Sequence, residues 1–117
     1  MFRLFYVSTA SPDFSPNDIK PLVETASAKN RKLGITGALK FNGINFAQVL
    51  EGEKDAVLGL MSTIRYDKRH TGVIVVAEIE AADHMFGHWD MSFVDGLDFQ
   101  DFVNAMSAPQ ETRRQGA

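Results

Sequence analysis

The dipeptide Asn42-Gly43, set between two runs that alternate apolar and polar residues, constrains this chain more than any other feature. Asn-Gly favours the positive φ angles of a two-residue hairpin turn, so the flanking runs are expected to pair as antiparallel strands. They are Gly34 to Phe41 and about Ile44 to Glu51. In the second, Ile44, Phe46, Gln48 and Leu50 share one face, while Asn45, Ala47, Val49 and Glu51 share the other. Gln48 therefore falls among large apolar neighbours. Upstream, Arg3 to Ser8 has the same period of two, with Leu4, Tyr6 and Ser8 on one face and Phe5 and Val7 on the other.

Two helical stripes separate the strands. After a loop from Thr9 to Phe14, Ser15 can cap a helix with Pro16 at its first position, where the missing amide loses no hydrogen bond. It is expected to run to about Lys29. Its apolar face is Ile19, Leu22, Val23 and Ala26, and Asn30 returns to that face. A second helix, from about Glu53 to Tyr66, presents Val57, Leu60, Met61 and Ile64. The β-branched run from Gly72 to Ile79 predicts a buried strand, and Trp89, Met91 and Phe93 alternate with Asp90 and Ser92 as a fifth. The order β-α-β-β-α-β-β predicts an α+β, ferredoxin-like fold, with a five-stranded mixed sheet and two helices on one face. Phe99, Phe102, Val103 and Met106 have the spacing of a short C-terminal helix. The expected organisation is a folded domain over residues 1–95, a helix over 96–106 that caps the sheet or forms an interface, and a flexible tail over 107–117.

Composition narrows the function. With 117 residues, 12 Lys+Arg and 15 Asp+Glu, the chain has one domain's length and a formal charge of −3, which disfavours binding to nucleic-acid backbones. The absence of cysteine removes disulfide scaffolds, thiolate metal sites and cysteine nucleophiles, and fits a reducing cytoplasm. Apolar runs are far below the roughly 20 residues of a membrane span. His84 and His88 are four apart where no helix is expected, so no metal site is read there. Tyr6, Asn30 and Gln48 are left as polar groups facing one apolar gap. Burying an amide without a partner costs about 1–3 kcal/mol, so they bond either one another or a flat polar ligand sandwiched by Leu22 and Ile64.

These residues carry a resemblance. Tyr6, Asn30, Ile35-Thr36-Gly37, Gln48 within Phe46-Ala47-Gln48-Val49-Leu50-Glu51-Gly52, Asp67-Lys68-Arg69-His70 and Trp89-Asp90-Met91 resemble, in order and separation, the BLUF family of blue-light sensors using flavin. The match runs from Phe2 to about Val94. It implies a non-covalent FAD, with FMN or riboflavin as substitutes, whose ring lies between the two helices in contact with Asn30 and Gln48. The tyrosine matching Tyr6 is the electron donor, and proton movement passes through the glutamine matching Gln48, which rotates or tautomerises. Asp67, Arg69 and His70 match positions near the ribityl and phosphate side. Lys29 stands where relatives vary and either reaches a flavin oxygen or extends into water. Trp89 and Met91 match the proposed signal relay, with Met91 favoured. His84 and Ser92 depart from the common pattern, which bears on output rather than on light sensing.

The expected function is a non-enzymatic photoreceptor that acts on an unidentified effector protein in trans and self-associates, without nucleic acid or membrane. Two alternatives share the topology. One is a ligand- or protein-binding module without photochemistry; the other is a hydrolase of the acylphosphatase type, disfavoured because Thr9 to Phe14 lacks arginine, asparagine and glycine.

Overall fold

A computed structural model describes residues 1–82 and 92–93. Strand β1 (Phe2–Ala10) leads through a 3-10 turn at Pro16–Asp18 into helix α1 (Ile19–Leu33). Strands β2 (Thr36–Phe41) and β3 (Asn45–Gly52) form the hairpin, helix α2 (Lys54–Arg65) follows, and β4 (His70–Glu80) returns to the sheet. The order β4-β1-β3-β2 is antiparallel throughout. A two-residue strand β5 (Ser92–Phe93) pairs parallel to β2, opposite Ala38 and Leu39. The α+β class and the two-helix arrangement follow the sequence pattern. The expected relay residues Trp89 and Met91, the remainder of the fifth strand, His84, His88, the helix over 96–106 and the tail lie outside the described residues.

The core lies between the helices and one face of the sheet. Phe2, Leu4 and Tyr6 of β1, Phe46 and Leu50 of β3, and Leu39 and Phe41 of β2 meet Ile19 of α1 and Val57, Leu60 and Met61 of α2. Burying such a side chain contributes about 1.5–3 kcal/mol, so this shared face is the main reason both helices dock on the same side. Phe41 stacks on Phe46, and Phe14 meets both rings edge-on.

Several boundaries differ from the sequence expectation, each for a local reason. Regular α-helix begins at Ile19 rather than Pro16; in the preceding turn, the Ser15 amide donates to the Asp18 carboxylate at 2.9 Å. Helix α1 continues past Lys29 to Leu33 and stops at Gly34, whose φ of 69° places it in the left-handed region. That residue ends the helix instead of opening β2. The hairpin turn is displaced by one residue. Gly43, with φ 96°, and Ile44 occupy its centre, while the Asn42 side chain accepts from the amides of Ile44 and Asn45 at 2.9 and 2.7 Å. Ile44 is consequently exposed, not part of the β3 inner face.

The largest correction concerns β4. Its β-branched run predicted burial, yet Ile74 and Val76 are 62% and 51% exposed, while Val73 and Val75 pack on the core. This strand lies at the edge of the sheet, and its pairing with β1 carries irregularities between Phe5 and Tyr6 and between Val7 and Thr9. The composition of a strand reports fitness for a pleated surface, not its rank in the sheet.

The opposite face of the sheet holds a feature that the sequence reading did not identify. Arg3 and Glu51 are cross-strand partners, both almost wholly buried, and Arg3 Nε donates to Glu51 Oε2 at 3.0 Å. The Thr36 hydroxyl donates to the other carboxylate oxygen at 2.9 Å. Two charges withdrawn from water are tolerable only with such mutual satisfaction.

Candidate functional site

The two helices and the sheet enclose a cavity of about 200 Å³. Its walls are Leu22, Ala26, Lys29 and Asn30 from α1 and Leu60, Thr63 and Ile64 from α2; its floor includes Tyr6, Leu39, Phe46 and Gln48. Asp67 and Arg69, between α2 and β4, and His70, the first residue of β4, complete the lining at one end. Every binding residue anticipated from the sequence therefore lines one cavity: Tyr6, Leu22, Lys29, Asn30, Gln48, Ile64, Asp67, Arg69 and His70.

Backbone periodicity explains the assembly. Tyr6 and Gln48 are opposite one another in the β1–β3 register, and both point to the helix face. The Tyr6 hydroxyl donates to Gln48 Oε1. The oxygen end of the amide is thereby turned to the phenol and its NH2 end away from it. Leu39 is the partner of Gln48 on its other side, so an apolar side chain flanks the amide within the sheet. Asn30 is 2% exposed although it occupies a helix, because the i, i+4, i+11 spacing returns it to the docked stripe.

Burial, with a smaller contribution from the negative charge of Asp67, pushes the Tyr6 phenol well above its usual value of 10.0. Desolvation penalises the phenolate, so the ring is held protonated and ready to donate. At the cavity end, Arg69 Nε donates to Asp67 Oδ1 and Oδ2 at 2.9 and 3.1 Å, and the Arg69 amide donates to Oδ1 at 2.9 Å. The hydrogen bonds from the Arg69 side chain are the main reason the Asp67 carboxyl lies below its ordinary range, against a partial opposing effect of burial.

His70 lines the cavity with its ring committed to the protein. Nε2 is 2.7 Å from the Ile64 carbonyl and Nδ1 is 2.7 Å from the Ser8 hydroxyl. Since a carbonyl only accepts, Nε2 carries the hydrogen and donates to Ile64. The histidine thus ties the C-terminal turn of α2 to β1 two residues beyond Tyr6.

Sequence reasoning missed Thr25, Ala26, Leu39, Phe46, Leu60 and Thr63 as lining residues. Ala26, Phe46 and Leu60 lay on stripes already assigned to the core, a signal that marks burial without distinguishing core from cavity wall. A second groove of about 440 Å³ shares Leu22, Thr25 and Arg69 with the cavity and adds Ser11, Asp13 and Lys68.

The donor set suits a flavin. Apolar side chains from both helices suit the faces of a flat ring, while the amides of Asn30 and Gln48 suit the alternating donors and acceptors of its edge. Among the described residues, no group of three or more His, Asp or Glu side chains could hold a metal ion, and no helix is long and apolar enough to cross a membrane.

Comparison with known proteins agrees. The family model described as "Sensors of blue-light using FAD" matches residues 1–92. A photoactivated adenylate cyclase subunit beta from Euglena longa is 45% identical over 74 residues, which are 62% of this chain and 8% of that protein. The blue light- and temperature-regulated antirepressor BluF of Escherichia coli is 32% identical over 92 residues, 79% of this chain and 23% of that protein. The structure of Klebsiella pneumoniae BlrP1 with FMN and cyclic diGMP superposes with a TM-score of 0.75 at 36% identity, covering 92% of this chain and 30% of the other. The chain thus spans under a tenth of the length of the cyclase relative and under a third of BlrP1. Fold, cavity and comparisons converge, and the chain belongs to the BLUF family of flavin-binding blue-light sensors.

Proposed function

We propose that this chain is a blue-light photoreceptor module that holds FAD non-covalently in the cavity between α1 and α2, with Tyr6 and Gln48 as its photoactive pair. The hydrogen bond from the Tyr6 hydroxyl to Gln48 Oε1 at the cavity floor carries this reading. Flavin, when bound, would supply light absorption and a one-electron acceptor. Tyr6 would give up that electron while its phenolic proton passes along the hydrogen bond to Gln48 Oε1 and the amide nitrogen releases one toward the acceptor; return of electron and proton restores the Tyr6 phenol. The amide of Gln48 then rotates or tautomerises, which exchanges donor for acceptor at its tip without any new covalent bond to the chain. Asn30 holds the ring edge, Leu22 and Ile64 hold its faces, and Asp67, Arg69 and the adjoining groove receive the ribityl and phosphate side.

Output passes from Gln48 toward β5. Leu39 is paired both with Gln48 and with Phe93, so a change at the amide reaches β5, which follows the relay candidate Met91 in sequence, with Trp89 as the second candidate. The module itself is non-enzymatic and cytoplasmic. It acts on an effector protein in trans and associates with copies of itself. The relatives' cyclase and antirepressor activities belong to proteins of which this chain matches a small part. A non-photochemical binding module is the competing reading. Protein purified with FAD that turns yellow and shows a reversible red shift under blue light supports the photoreceptor; protein that stays colourless with excess flavin overturns it.

A further inference from the structure

Two cationic side chains line the cavity, and their surroundings differ. Arg69 is matched by Asp67 through its side-chain and backbone hydrogen bonds and a close ion pair. Lys29, one residue before the buried Asn30, lines the same cavity from its solvent side and has neither an ion-pair nor a hydrogen-bond partner among the described residues. The rest of the α1 and α2 lining is apolar or uncharged: Leu22, Thr25, Ala26, Asn30, Leu60, Thr63 and Ile64. Pairing of Asp67 with Arg69 leaves Lys29 as the unmatched charge of the cavity wall.

The ordinary explanation of a lysine here is its place near the C-terminal end of α1, where cations complement the helix macrodipole. Arg31 and Lys32 already do so in the last turn, and neither lines the cavity. What separates Lys29 from them is the space it faces. A unit charge beside a partly desolvated acceptor acts through a lower effective dielectric than water, so it favours any added negative charge there. An exposed ammonium is also screened by salt, which gives the effect a signature.

We propose that Lys29 is the electrostatic tuning residue of this site: its unmatched ammonium raises the electron affinity of a flavin held in the cavity, and so sets how readily Tyr6 can be oxidised by it. The inference rests on the flavin-binding reading above. In the step concerned, Tyr6 loses one electron, the flavin gains it, and the phenolic proton moves toward Gln48 Oε1. Lys29 exchanges neither proton nor electron; it acts as a positioned charge.

The test is a dark reductive titration of the FAD-loaded protein against a reference dye, for the parent and for Lys29→Arg, Lys29→Met, Lys29→Glu and Lys32→Met. Lys29→Met is expected to lower the equilibrium constant for flavin reduction by on the order of tenfold. Lys29→Glu lowers it further, Lys29→Arg and Lys32→Met leave it near the parent value, and added salt narrows the difference between parent and Lys29→Met. Equal constants across the series overturn the proposal while leaving flavin binding intact. A change in thermal stability alone makes Lys29 a helix-end charge and likewise overturns it. A parent protein that takes up no FAD refutes the flavin reading, and this inference with it.

Discussion

Tyr6 and Gln48 are cross-strand partners: the β1–β3 register sets them opposite one another on the helix face, and the phenol donates to the amide oxygen. Their alignment is a property of backbone pairing, so it survives side-chain changes that preserve the strands. Tyr6→Phe keeps the ring and removes only the hydroxyl, leaving Gln48 Oε1 without that donor at a cost of about 1–3 kcal/mol. The variant is expected to fold, bind FAD and lose the light-induced red shift. Difference absorbance before and after blue light checks this, and a parental photocycle would refute Tyr6 as electron donor.

Gln48→Leu tests the other half of the pair. Leucine fills a comparable volume on a face already shared with Phe46 and Leu50, so stability should change by less than about 1.5 kcal/mol apart from the lost hydrogen bond. Flavin should still bind, and the red-shifted state should be absent. If that state forms normally, the switch does not reside in this amide.

Tyr6 also predicts an alkaline signature. Its pKa in the fold is raised, chiefly by burial and secondarily by Asp67. The unfolded chain ionises near 10.0 while the fold holds the proton, so stability from this group is intact below that pH and is lost as pH rises through the folded value. In a Tyr66→Phe background, where Tyr6 is the remaining tyrosine, phenolate absorbance should appear only together with alkaline unfolding. Ionisation of the folded protein near the ordinary value would contradict the buried placement.

On the opposite face, the Arg3–Glu51 pair makes a prediction about stability rather than light. Arg3→Met leaves Glu51 buried with the Thr36 hydroxyl but without its guanidinium. Breaking such a pair costs about 3–5 kcal/mol, whereas replacing both partners by apolar groups costs less than the sum of the single changes. Urea midpoints for Arg3→Met, Glu51→Leu and the double variant measure the coupling; additive effects would show that the pair contributes nothing as a pair.

Gly37 lies in β2 opposite Leu50 of β3. A Cβ there would lie 2.1 Å from the Val49 carbonyl oxygen, a contact that moves backbone rather than a flexible side chain. Gly37→Ala should destabilise by at least about 1–3 kcal/mol and weaken flavin retention, because the displaced strand carries Leu39 beside Gln48. A urea midpoint equal to the parent's would show that the strands separate freely.

The local period of the chain made the elements readable. Alternation marked β1 and β3, helical stripes marked α1 and α2, and polar residues on apolar stripes marked Asn30 and Gln48, because a face buried by periodicity exposes its exceptions. The resemblance supplied Asp67, Arg69 and His70, which no period singles out. Arg3 and Glu51 were open to the same logic, since the register that joins Tyr6 to Gln48 also joins them, but that register becomes known only once the strands pair.

What the sequence by itself determined, then, is which side chains share a face and where each element begins within a few residues. Tertiary structure alone decided that β4 is an edge strand with Ile74 and Val76 exposed, that His70 spends both ring nitrogens on Ser8 and Ile64, and that Lys29 faces the cavity unmatched. The physical reason is range. Periodicity is set by neighbours within one or two turns of chain, whereas strand rank, hydrogen-bond partners and charge compensation depend on residues brought together from distant positions.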